Sequence, residues 1–460
     1  MPFSRLTDLI STFSASELRR ARQFLELPEV NRRADVQKLF EVLQKETNRK
    51  KLTEESKIFT RVYPDQPYDN QQLRLLRSYL LRALERFLVF QESQTDADTA
   101  DPLLLRAYRQ RGLRRHLEHE LHRQHRAVEK CPDHHAETLL SDYLREREAT
   151  TLLARDGRTK ELNLQSVEDA LDRAFWAYKL RQACYSRSHE SVARQRYELR
   201  LLDEILEVSQ NEIAPAVAIY RACYLALFRD GGEANFRQFR QLLTDQQAGF
   251  PHEEVRSLYL LALNYCIRRI NENRTAFLRE ALDLYDAGLR SGALLDGERV
   301  SRFTLANATG IALRLGELDW TERLLDTYAP LLAPEWHSTT LAFNRARLAF
   351  ARRNYDLAHQ YLQQTDTSDP IDNVNARILQ LKIYYETREL DLFDALLRSS
   401  ERFVRRHGES YHAQLWRDIL HFFGRLRTVN PHELREVEAL KSELQEKKVL
   451  PEREWLLEQL

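Results

Sequence analysis

Residues 1–230 of this 460-residue chain contain only two glycines, Gly112 and Gly157, out of 12 in the whole sequence. Tight β-hairpins need residues that accept positive φ, and phosphate-cradling loops need backbone with no Cβ in the way. So long a stretch with two isolated glycines argues against a sheet domain, a P-loop or a dinucleotide-binding fingerprint. Nowhere does a strand-like alternation run for a useful length. Apolar residues recur instead at three- and four-residue spacing, and the whole chain is expected to be all-α. Hydrophobic residues make up 43% and charged residues 30%, enough to bury apolar surface while staying dissolved. The length exceeds one compact core and suits two or three domains or an extended array.

Residues 1–95 are expected to form an N-terminal helical module. Helices are predicted at about 4–13, 16–25, 34–46, 53–62 and 70–90. Ser14-Ala15-Ser16-Glu17 and Thr53-Glu54-Glu55 supply hydroxyl caps followed by acids, while Pro28, Pro64 and Pro67 punctuate. In the last helix Leu73, Leu76, Leu80, Leu84 and Phe87 share a stripe, and Leu75, Leu81 and Leu88 widen it towards burial on more than one side. Leu52-Thr53-Glu54-Glu55, Val62-Tyr63-Pro64 and Tyr68-Asp69-Asn70 resemble a family of uncharacterised bacterial helical proteins, which implies no activity. The polar segment Gln91–Asp101, ending before Pro102, reads as a linker. A middle region, 102–210, follows with long helices at about 102–130, 134–154 and 166–210, the last interrupted near 186–191. Cys131-Pro132 ends the first, and Ser166 with Glu168 and Asp169 caps the third.

From residue 211 the pattern becomes periodic. Pro215, Pro251, Pro334 and Pro370 stand where first helices would open, with Ser291-Gly292 in the missing place, roughly every 40 residues. Polar turns alternate with them at Asp230-Gly231-Gly232, Asn271–Asn273, Gly316–Asp319, Asn354–Asp356 and Glu389–Asp391. A last pair spans about 409–425 and, after a capping box at Asn430-Pro431-His432-Glu433, runs to Lys448. The clearest unit is Leu341–Leu362: Ala346 and Ala349 on one helix, Ala358 on the next, Leu362 a turn later and Pro370 beyond. Small residues let two backbones approach, and the leucine fills the gap. These residues resemble the second half of the tetratricopeptide (TPR) repeat, whose unit is roughly 34 residues. The resemblance implies an α-solenoid of stacked antiparallel helix pairs, about six over 211–448, each too amphipathic to stand alone. Residues 449–460, with the apolar-faced EREWLLEQL, are expected to cap the array or dock on a partner.

Asn264, Asn307 and Asn344 fall inside first helices, where asparagine is intrinsically unfavourable. The TPR resemblance implies that such residues line a groove for a protein or peptide. Aligning the turns places Asn307, Arg314, Asn344, Arg347, Lys382 and Tyr385 there. The plainer account has the asparagines bonding neighbouring helices. His116, His119, His122 and His125, with Cys131, His134 and His135, have zinc-type ligands, but a spacing of three turns successive residues by about −60° and fans them around a helix. They read as a solvated face, and neither metal nor cofactor is expected. Cys184, Cys223 and Cys266 sit among apolar residues as small hydrophobes rather than nucleophiles. Arg74, Arg77, Arg82 and Arg86 border the leucine helix of a segment, 53–90, that resembles the winged-helix-plus-TPR layout of bacterial transcription activators. That resemblance implies DNA binding, with the repeats as a regulatory domain.

Lys+Arg and Asp+Glu are both 70, so global charge favours neither nucleic acid nor an anionic membrane. No apolar run reaches the ~18 residues of a membrane span, and the first residues lack a basic-then-apolar signal. A cytoplasmic, non-enzymatic interaction scaffold is the expectation, with a DNA-binding regulator as its alternative.

Overall fold

The computed structural model describes residues 4–48, 54–130, 135–154, 161–190, 193, 195–229, 232–365, 368–406, 413–447 and 450–460. Among these the protein is all-α: 23 helices and a single two-stranded ribbon. Its contacts divide it into two units, residues 1–131 with 137–174, and residues 132–136 with 175–460.

In the first unit α1 (Ser4–Thr12), α2 (Ala15–Leu25), α3 (Ala34–Asn48), α4 (Glu55–Val62) and α5 (Asn70–Thr95) share one core. Ser14 caps α2 as expected and forms with Glu17 a full capping box, and the amide of Ser14 and the side chain of Gln91 hold the Glu17 carboxyl down at about 2. Thr53 lies outside the described residues. Asp69 accepts from the amides of Gln71 and Gln72 and starts α5. That helix buries Leu73, Leu76, Leu80, Leu84 and Phe87; of the residues that widen the stripe, Leu81 and Leu88 pack partly buried against the same core and Leu75 is half exposed.

The expected linker is not one. α5 runs to Thr95, and Asp96 at once caps α6 (Ala97–Gln110), accepting from the amide of Asp98. Acids at a cap and acids in a linker look alike in composition, which is why the junction reads as a break. The helix expected over 102–130 is in fact two, because Gly112 at φ 69 ends α6 before α7 (Arg114–Lys130). Cys131 and His134 lie outside the described residues. Next come α8 (Ala136–Leu153), tied to α6 by Arg109 donating to Glu148 at 2.6 Å, and α9 (Leu164–Glu190), inside which the division between units falls. α9 opens before Ser166, which sits in its first turn instead of capping it.

In the second unit a short α10 (Leu202–Val208) precedes the array. The pairs are α11 (Pro215–Phe228) with α12 (Gly232–Gln246), α13 (His252–Asn271) with α14 (Ala276–Arg290), and α15 (Arg302–Arg314) with α16 (Leu318–Tyr328). After them come α17 (Pro334–Ala351) with α18 (Tyr355–Gln363), α19 (Pro370–Glu386) with α20 (Leu390–Arg406), and α21 (Ala413–Thr428) with α22 (Leu434–Glu446). A six-residue α23 (Arg453–Glu458) closes the order. Each first helix also lies against the next where α15 meets α17 and α17 meets α19, so the array is solenoid-like.

Pro215, Pro334 and Pro370 open their helices as first residues, and Pro251 immediately precedes α13. The missing place is filled differently from the expectation. Ser291-Gly292 opens no helix; β1 (Leu295–Asp296) and β2 (Arg299–Val300) form a minimal ribbon, and Ser301 then caps α15. Nor does Asn430 form a capping box: it accepts from the amide of His432, and α22 starts after Glu433. Asp230, Gly231, Glu409 and Lys448 lie outside the described residues.

Four successive hairpins use one turn. Asn273, Gly316, Arg353 and Arg388 are left-handed, and the next amide in each reaches back to a carbonyl five residues earlier, as from Asn354 to Ala349 at 2.9 Å. An arginine pays a steric penalty there that glycine avoids. Arg353→Gly is therefore expected to stabilise the protein by a net of about 0.5–1 kcal/mol, once glycine's extra unfolded-state freedom is subtracted, and so to raise the melting temperature. A lowered melting temperature in calorimetry would contradict that turn assignment.

Candidate functional site

The first helices α13, α15, α17 and α19 present a common face around a concave space of about 1150 Å³. Asn307, Arg314, Arg347, Lys382 and Tyr385 all line it. Asn344 does not. Its side chain is buried, donating to the Thr340 carbonyl at 2.8 Å and accepting from Arg347 Nη1 at 3.3 Å. It therefore steers the arginine from behind, and both of its partners lie on its own helix rather than on a neighbouring one. Asn264 is exposed and also lies outside the concave space.

Arg347 is positioned by α15 as well. Its Nη1 donates to the Ala306 carbonyl at 3.0 Å, and its guanidinium lies over Gly310, where a Cβ would come within 2.6 Å of Nη2. Glycine there is a matter of room, since any side chain displaces the arginine. Burial lowers the Arg347 pKa from its usual value, and the nearby Glu452 carboxylate offsets this only in part.

The remaining wall comes from residues 450–460. Glu454 accepts from Arg314, Nε to Oε2 at 2.8 Å with a second bond from Nη2, across 140 residues of sequence. Glu452 accepts from Lys382 Nζ at 2.6 Å. Arg453 bonds the side chain of Asn273 and the carbonyl of Lys447. Trp455 is buried, stacked on Phe423 with centroids 5.3 Å apart and edge-on to Tyr385 at 5.7 Å, while its Nε1 donates to Glu386 Oε1 at 2.6 Å. Leu450 and Leu456 join the same apolar cluster as Trp416, Phe423 and Leu440. The segment thus crosses from the turn after α13 to α21, touching four pairs.

Burial alone would push the Glu452 carboxyl up, but Lys382, Arg347 and Arg314 outweigh it and hold the pKa below the ordinary 4.5. A depressed carboxyl contributes its stability above the unfolded-state value and loses it as pH falls through the folded one. The melting-temperature difference between the native protein and Glu452→Gln is accordingly expected to be full above pH 4.5 and to shrink below it. A difference independent of pH would contradict the charge pairing.

His116, His119, His122 and His125 are all exposed; His116 packs on Tyr108, and His122 Nδ1 bonds the Glu118 carbonyl. Cys184, Cys223 and Cys266 are buried. Burial pushes the Cys223 thiol up, and Cys266 up to about 12, away from the thiolate a nucleophile needs. Arg77 is buried and paired with Glu55 at 3.1 Å, Arg86 reaches the carbonyls of Glu29 and Val30, and Arg82 packs over Tyr79. Of the arginines on α5, Arg77 is taken up inside its own module, while Arg74, Arg82 and Arg86 are exposed. Among the described residues no helix is long and apolar enough to cross a membrane.

Glu386, Glu452, Glu454 and Trp455 were missed by the sequence-based set. For the last three the advance signal is the acid- and tryptophan-bearing stretch Glu452–Trp455; Glu386 carries none. Comparisons with protein-family models, with curated proteins and with solved structures found no match.

Proposed function

We propose that the chain is a cytoplasmic, non-enzymatic interaction scaffold whose TPR-like concave face seats a segment of another protein. One observation carries this reading: the face already accommodates a peptide-like stretch of its own chain through paired charges and an aromatic anchor. Cations sit on three successive first helices, Arg314, Arg347 and Lys382, the layout of a surface that reads a chain along its length. Asn307 and Tyr385 add a polar contact and an aromatic wall, and Asn344 holds Arg347 in place. The burial that pushes the Cys223 and Cys266 thiols up supports a binding role over covalent catalysis at those residues.

Affinity capture with the full chain tests this. Arg347→Glu reverses a groove charge, and Gly310→Ala displaces the same guanidinium without changing charge. Loss of the same specific partners from both folded variants is expected. Retention of every partner by both would remove the concave face from the account.

A further inference from the structure

The chemistry of the partner can be read from what now fills the seat. We propose that the groove takes an acidic segment with an aromatic anchor, patterned Glu-x-Glu-Trp, and that this segment enters by displacing residues 450–460. The inference rests on the groove reading above and specifies its ligand and its control.

Charge complementarity is the first argument. Glu454 neutralises Arg314, and Glu452 neutralises Lys382 while lying in the field of Arg347. Remove the segment and three cations face one another across a concave surface where burial already disfavours the charge on Arg347. A basic or neutral occupant would cover Lys382 and Arg347 without compensating them, and an unpaired buried charge is costly, while Arg314 at the more open edge would lose its pairing with Glu454. The occupant must therefore bring carboxylates.

The anchor is the second argument. Withdrawing the segment uncovers Phe423, Tyr385 and the Glu386 carboxylate, which Trp455 now covers and satisfies. A partner refills that place at least cost with an aromatic ring carrying an N–H or O–H donor. Beside the segment the concave space stays open and is lined also by Asn307, Phe343 and Asn375.

The third argument concerns displacement. Glu452 is held left-handed at φ 58, a conformation that costs an ordinary residue about 1–2 kcal/mol. The helix after it has six residues, too short to persist when detached. Its order depends on the seat. As a tethered occupant it lowers the apparent affinity for anything in trans by the fraction of time the seat is empty.

The test uses the full chain and a fluorescent peptide with the sequence of residues 450–460, followed by anisotropy. The chain carries Glu452→Lys and Glu454→Lys, which repel its own segment without removing Trp455 or Leu456. Glu452→Gln with Glu454→Gln serves as a milder pair, and circular dichroism confirms folding of each. The peptide is expected to bind the altered chains at least about tenfold more tightly than the native chain. A peptide with both acids changed to glutamine, or a chain with Arg314→Glu added, is expected to lose that gain. Equal affinity for native and altered chains, or no binding to either folded variant, overturns the inference. Concentration-dependent dimers of the altered chain that exclude the peptide overturn it too, because the seat would then belong to a second copy. If the peptide fails while captured partners remain sensitive to Arg347→Glu, only the ligand chemistry is wrong. If capture is insensitive as well, the groove reading falls with it.

Discussion

Trp455→Ala is expected to destabilise the second unit by about 3–5 kcal/mol, the usual range for deleting a buried aromatic side chain. The ring is 6% exposed and wedged between Phe423 and Tyr385. Its Nε1–H also satisfies Glu386, a carboxylate shared with the Tyr355 hydroxyl. Truncation therefore leaves a cavity, strips an aromatic contact from two helices and removes one of the donors to a partly buried acid. Chemical denaturation should show a lowered midpoint with little change in slope. A loss below about 1 kcal/mol, typical of an exposed site, would mean that the tryptophan does not occupy this place.

Ala358→Phe is expected to cost about 1–3 kcal/mol or more through overpacking. Ala358 of α18 is completely buried in a cluster with Ala346 and Ala349 of α17 and Leu379 and Ile383 of α19. Small residues on both sides set how closely the backbones approach, and the next pair closes the remaining side. Six added ring carbons have no space unless α18 moves off α17. Leu362 fills the gap less completely than the repeat pattern implies. It is partly buried at the edge of this cluster, so Leu362→Ala is expected to cost about 1 kcal/mol, below the range for a full core leucine. Thermal melting that ranks Leu362→Ala above Ala358→Phe would contradict the described packing.

Features encoded within a few residues were legible in the sequence. Prolines at 215, 334 and 370 open helices because a first-turn residue needs no amide partner. Four of the polar turns fall where expected because left-handed residues end those first helices, although arginine at 353 and 388 carries no local signature of that backbone. Composition misled where one set of residues suits two structures, as with the acids at 96 and 98, which cap a helix rather than make a linker. Leu75 looked like part of a stripe because apolar identity does not reveal whether a neighbour exists to cover it.

The site was legible in part for a related reason. Turn alignment places Asn307, Arg314, Arg347, Lys382 and Tyr385 on one face, since equal offsets from equivalent turns give equal helix rotation. It fails at Asn344, three residues before Arg347, whose amide is satisfied within its own helix and by the arginine. For the fourth wall the apolar face of EREWLLEQL was legible, but not the helices it would reach. The contact between Arg314 and Glu454 spans 140 residues, and only the stacking of the intervening pairs brings them together.

Native-state hydrogen exchange at the amides of residues 456–459 tests the central claim most directly. The claim is that this stretch lies helical in the concave face, with Leu456 N–H bonded to the Glu452 carbonyl and Gln459 N–H to that of Trp455. Protection well above that of the free peptide is predicted in the native chain, falling sharply in the Glu452→Lys, Glu454→Lys variant while α19 stays protected. Exchange in the native chain as fast as in the free peptide would show the face to be empty, and the contacts that define the site would be absent.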